Sequence, residues 1–142
     1  MKGDNIPDSD NITRLCHHTT IDGNGKPQAS AFFPRQNEQT LSVNWLENLH
    51  CSSRDEEIAE IRRVLNTKLT IKAKAKIAVL NVGELCNYVH DESPDQRILA
   101  VLHDPDLTTN DPSHSEICNV RPDYELIAEI ILDVVRETYP AR

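Results

Sequence analysis

The stretch PSHSEICNV, residues 112–120, sets His114, Glu116 and Cys118 at alternate positions, just behind a loop crowded with carboxylates. Imidazole, carboxylate and thiol are groups that hold metals, move protons and grip cations. A period of two puts His114 and Glu116 on one face of a strand, with Ser115 and Ile117 on the other and Ile117 entering the core. His103, Asp104 and Asp106 follow the apolar run Ile98–Leu102. A rigid strand presents the residues of its loop accurately, so His103, Asp104, Asp106, His114 and Glu116 form the expected binding surface. A metal is not expected. Cys86 and His90 are four apart, as are His114 and Cys118, and on helices two such pairs could complete a tetrahedron. Residues 114–118 read as a strand, however, where a separation of four spans about 13 Å. No cofactor is expected either.

Three stretches resemble known families. ILAVLHDPDLT, with Asp104-x-Asp106-x-Thr108, resembles the nucleophile motif of haloacid dehalogenase-type phosphatases. That motif opens a doubly wound domain, and only 34 residues follow Thr108, so the stretch is read as a turn rich in Asp, Asn and Pro. Arg14 or His17 in a first strand, then Ser42 in LSVNW, then Glu116 in HSE, resembles the order of functional residues in ADP-ribosyltransferase folds. There the first-strand Arg or His holds the nucleotide and the late Glu stabilises charge at the ribose carbon. The resemblance implies a catalytic set of Arg14, His17, Ser42 and Glu116 in a small NAD-processing transferase or toxin. Finally, SAFFPRQNEQTLSVNWLE with the later HDPDLTTNDPSHSEI resembles an uncharacterised family of small bacterial proteins that pairs an AF…LSV segment with a late NPAHA-x-I-like one. Asn110, Pro112, His114 and Ile117 carry that match. It implies a bacterial source and a compact fold, and no activity.

Composition narrows the classes. Fifteen Lys and Arg against 23 Asp and Glu leave a charge of −8, with three Tyr, two Phe and one Trp. Nucleic-acid binding draws on phosphate neutralisation by basic groups, so no nucleic-acid partner is expected. The longest apolar run is far too short to span a bilayer, so no membrane partner is expected. The first ten residues carry Asp4, Asp8 and Asp10 without an apolar stretch and do not read as a signal peptide. The expectation is a soluble cytoplasmic protein whose cysteines, Cys16, Cys51, Cys86 and Cys118, stay reduced.

These residues need elements to position them. Residues 1–11 read as a disordered tail and 12–142 as a single globular domain. The expected strands are 12–20, ASAFF, 40–46, 69–82, 97–103 and a short one at 114–118. TLSVNWLE alternates, with Leu41, Val43 and Trp45 inward. LTIKAKAKIAVLNV alternates too, with Ile71, Ala73, Ala75 and Ile77 inward and its lysines outward, as suits an edge. Residues 97–103 read as a central buried strand. Ser53 and Glu56 have capping-box spacing and start a helix to residue 66. Asp123 caps a last helix to residue 138, with an apolar stripe through Ile127, Ile130 and Val134. GELCNYVHD reads as a helical turn. The predicted class is α+β: a mixed sheet of about five strands with two main helices on it, and a core including Ile61, Leu65, Val79, Leu99, Val101, Ile127, Ile130 and Val134. The function expected is a non-catalytic binding or accessory protein acting through a protein partner, with the NAD-processing enzyme as the alternative.

Overall fold

Val, Ile and Leu at every second position generate the strands of this protein, and runs with a 3.6-residue apolar stripe generate its helices. The structure is a computed structural model that describes residues 2–142. The strands are β1 (Asn11–Cys16), β2 (Leu41–Trp45), β3 (Lys76–Asn81), β4 (Ala100–His103), β5 (His114–Cys118) and β6 (Glu137–Pro140). The helices are α1 (Arg54–Lys68), α2 (Val82–Glu92) and α3 (Tyr124–Leu132). The α+β class holds. The six strands form one sheet in the order β4-β5-β2-β1-β3-β6, and every neighbouring pair is antiparallel, where a mixed sheet was expected.

The sheet is covered unequally. On one face Ile12, Leu41, Val43, Leu80, Val101 and Ile117 pack with Val82, Leu85 and Val89 of α2 and with Ile127, Ala128 and Ile131 of α3. On the other, Leu15, Ile77 and Val79 pack under Ile58, Ile61 and Leu65 of α1. That second cluster takes nothing from β4 or β5. Over β4, β5 and β2 the α1 side of the sheet is therefore open, and Ala100, Leu102, Ser42, Glu116 and Cys118 are half-buried or exposed there. All eight residues predicted to be core are buried.

Several boundaries move. Residues 69–75 are not strand. Lys72, Ala73 and Lys74 are exposed, and Ala75 N donates to Lys72 O in a turn that returns the chain from α1 to the sheet. The Ala/Lys alternation thus continued past the end of the true strand. GELCNYVHD lies in a full helix, capped by the Asn81 side chain, which accepts from Glu84 N. The expected central strand 97–103 is β4 at the sheet edge: Ile98 is 72% exposed, so the apolar run is one-sided after all. The last helix stops at Leu132, and 137–140 adds β6 beside β3. Asp123 sits at its N-cap with φ 61° and no capping bond from its side chain. At α1 the Ser53 side chain accepts from Glu56 N as expected, but Glu56 reaches back to the N–H and hydroxyl of Ser52. ASAFF forms a short 3₁₀ helix, Ala29–Phe32, rather than a strand.

Within the stretch expected to be a loose tail, residues 3–6 lie along the outer edge of β4, while the Asp8 and Asp10 carbonyls accept from Gly83 N and Val82 N at the start of α2. Gly3 N donates to His103 O, His103 N to Asp4 O and Ile6 N to Val101 O, and Ile6 is buried. The burial of that one apolar side chain, with three backbone bonds, is what orders an otherwise polar segment. No helix among the described residues is long and apolar enough to cross a membrane.

Candidate functional site

β1 pairs with β3 over six residues, but with β2 at only two positions, Ile12–Trp45 and Thr13–Asn44. Beyond Thr13 the two strands part, and the Arg14 side chain fills the gap. Its Nη1 donates to Ser42 O at 2.9 Å, so the guanidinium stands in for the parted backbone. Its Nε donates to Ala31 O at 2.9 Å and its Nη2 to Phe33 O at 3.5 Å. A guanidinium has five N–H groups, so two remain uncommitted. Burial, the largest influence on Arg14, lowers its pKa from the ordinary arginine value.

The parting opens a cleft of about 190 Å³ between the C-terminal end of α1 and the open half of the sheet. Arg14, His17 and Arg35 line one end, Ser42 and Asn44 the floor, and Leu65, Lys68, Leu69 and His114 the other end. Arg35 is exposed, and no hydrogen bond or salt bridge from its side chain is found among the described residues. Its loop is held in place by Arg121, which donates to Glu38 O at 3.0 Å and Arg35 O at 3.2 Å. His17, exposed at the mouth, is held below the usual histidine range first by partial desolvation and then by Arg14, Arg35 and His18.

The far end carries a buried polar network. Asp111 is 1% exposed, and Lys68 Nζ lies 2.7 Å from its carboxylate and 3.6 Å from that of Asp106. Asn44 Nδ2 donates to both Asp111 oxygens at 3.0 Å and Ser113 Oγ to one of them at 3.0 Å. The network ties the 104–113 loop to the end of α1 and leaves the Lys68 charge matched. His114 Nδ1 lies 2.8 Å from Asp104 O. A carbonyl only accepts, so Nδ1 carries the hydrogen, and Nε2 of the neutral ring is left as an acceptor.

Three of the four residues in the transferase-like set, Arg14, His17 and Ser42, therefore share one cleft. Glu116 is the register partner of Ser42 but does not line it, and lies instead over a shallow hollow with Lys2, Leu102 and Asp104. The expected surface divides. His114 lines the cleft; Asp106 lies behind it against Lys68 at 3.6 Å, and Asp104 belongs to the hollow that holds Glu116. His103 points to the opposite face of the sheet, 7% exposed, with Nε2 2.7 Å from Pro112 O and its ring edge-on to Trp45. Among the described residues no three His, Cys, Asp or Glu gather where a metal could sit. All four cysteines are free thiols, and burial pushes those of Cys16 and Cys86 up to about 11.

Sequence reasoning missed Arg35, Asn44 and Lys68. Asn44 offered a signal: a polar amide inside a strand is unfavourable unless something pairs with it. Arg35 and Lys68 belong to no pattern, because the parting of β1 from β2 creates their neighbourhood. Comparison with known proteins gives the site no precedent: no family model, no curated protein and no solved structure matches the chain.

Proposed function

We propose that this is a non-catalytic binding protein that takes an anionic group of its partner into the cleft between α1 and the open half of the sheet. One observation carries the reading. In a chain of net charge −8, Arg14 and Arg35 meet at one end of a concave pocket, and among the described residues no carboxylate lies within salt-bridge distance of either, Glu38 acting on Arg14 only from further off. Buried or clustered charge without a counter-charge is costly, and a bound anion relieves it. The protein-partner expectation fits this reading if the anion is borne on a protein. Among the described residues, the large apolar side chains exposed at the surface, Leu69, Ile98, Leu107 and Leu126, come from separate segments, and of these Leu69 touches the cleft.

The test is a titration of isotope-labelled protein with small anions, followed by backbone amide shifts. Residues 14, 17, 35 and 42 are expected to move together and saturate; shifts scattered over the surface would refute the reading. The NAD-processing alternative draws on the convergence of Arg14, His17 and Ser42. Against it stand the position of Glu116 outside the cleft and the lack of an aromatic side chain in its lining to stack on nicotinamide. Nicotinamide release from NAD that is lost in Ser42→Ala would favour the enzyme; none is expected.

A further inference from the structure

Resting on the anion-binding reading, we infer that the group taken into the cleft is the dianionic head of a phosphomonoester, gripped by the two uncommitted N–H groups of Arg14, by Arg35 and by His17, with the Ser42 hydroxyl beneath it. Charge is the first argument. Arg14 and Arg35 bring two fixed positive charges, and the Glu38 carboxylate that acts on Arg14 does so from beyond salt-bridge distance, leaving both guanidinium groups without an ion-pair partner among the described residues. A monocarboxylate would answer one of them, whereas a phosphomonoester near neutral pH answers both.

Direction is the second. The donors arrive from separate elements: Arg14 from β1, His17 from just beyond it, Arg35 from the loop after Phe33 and Ser42 from β2. A planar carboxylate is satisfied by a single guanidinium fork. Donors converging from several sides suit a tetrahedral group with three terminal oxygens.

Size is the third. At about 190 Å³ the cleft is smaller than the several hundred Å³ of sites that enclose a whole organic ligand. It fits a head group whose carrier leaves through the mouth, past exposed His17.

His17 then supplies a signature. The charged and titratable groups around it are Arg14, Arg35 and His18, with Lys68 and His114 on the far wall of the cleft. The cations next to His17 disfavour its protonation in the empty cleft. A dianion among them reverses the sign, so binding draws a proton onto the ring.

The experiment titrates the full chain at pH 7 with inorganic phosphate, O-phosphoserine, a phosphoserine-containing peptide, acetate and succinate. Amide shifts are followed, and heats are measured in two buffers of different ionisation enthalpy. Phosphate and O-phosphoserine are expected to saturate the cleft and to bind at least ~10-fold more tightly than either carboxylate, with net proton uptake for O-phosphoserine, whose phosphoryl group is already mostly dianionic at pH 7. Arg35→Gln is expected to weaken phosphate ~10-fold or more while melting like the parent, since this exposed side chain holds nothing else together. Lys26→Gln, outside the cleft, is expected to change nothing. A peptide that binds more tightly than O-phosphoserine identifies a phosphorylated protein as the source of the head group; equal binding identifies a free metabolite. Acetate or succinate binding as well as phosphate overturns the phosphate assignment and leaves the anion reading standing. If no anion moves the cleft residues, both fall.

Discussion

Lys68→Met tests the far wall of the cleft. The methionine keeps the length of the side chain and removes the ammonium 2.7 Å from Asp111. Asp111 is 1% exposed and cannot turn to water, so its carboxylate would stay buried with only Asn44 and Ser113 as donors. Removing one partner of a buried ion pair costs about 3–5 kcal/mol. Two observations reduce that here: the Lys68 side chain is 18% exposed in the parent, and the donors from Asn44 and Ser113 persist. The expected loss is ~2–3 kcal/mol. For a domain of this size that lowers the melting temperature by about 8 °C and the urea midpoint by roughly 1–2 M. Urea denaturation followed by far-UV circular dichroism measures it directly. Adding Asp111→Asn to Lys68→Met removes the stranded charge and keeps an oxygen for the Asn44 amide, so the double variant is expected to recover more than half of the loss. A loss below ~0.5 kcal/mol in the single variant, or a double variant no better than the single, would show that Asp111 is not held in place by charge pairing.

His17 sets an acid sensitivity. Its folded pKa lies below the ordinary 6.5, so the unfolded chain takes up that proton first; the related stability is complete above about pH 6.5 and declines as pH falls through the folded value. His17→Gln should flatten that part of the pH profile, and Arg35→Gln should raise the His17 titration midpoint seen in ring-proton spectra. Cys16 is fully buried with its thiol near 11, so an aromatic disulfide reagent at pH 8 should label it only on unfolding, while urea-denatured protein should show four reactive thiols. Ser53→Ala removes the acceptor for Glu56 N at the start of α1 and should cost about 1 kcal/mol by chemical denaturation.

What the sequence made legible was local. The alternation through Leu41, Val43 and Trp45, and through Ser115 and Ile117, marks strands whose inward faces are the observed ones, because period two survives wherever one face is buried. The stripe of α3 and the cap at Ser53 are likewise properties of neighbouring residues. The errors arose where tertiary context decides. Ala73 and Lys74 alternate like a strand, yet the chain must turn there to re-enter the sheet from α1. Ile98–Leu102 is as apolar as a central strand and lies at an edge, since its outer neighbour is the segment containing Ile6. Arg14, His17 and Ser42 could be picked out as a set, but the cleft they share exists because β1 and β2 separate after two residue pairs, and no pattern in either strand records that. Lys68 and Asp111 are 43 positions apart and meet only once α1 and the loop are docked.

The segment along β4 also sets how many open sites the sheet offers to a copy of itself. A strand edge with bare N–H and C=O groups acts as a bonding valence, and a sheet with two such edges can propagate into a filament. This sheet has one end covered and the other blunted. Residues 3–6 occupy the outer groups of Val101 and His103, and at the other end Pro140 has no N–H to offer while its carbonyl accepts from Arg62 Nε at 2.8 Å. Deleting residues 2–6 would open only the β4 end, giving a molecule of valence one. Such molecules pair edge to edge about a twofold axis and stop, so the truncated chain should form a closed dimer rather than a growing aggregate.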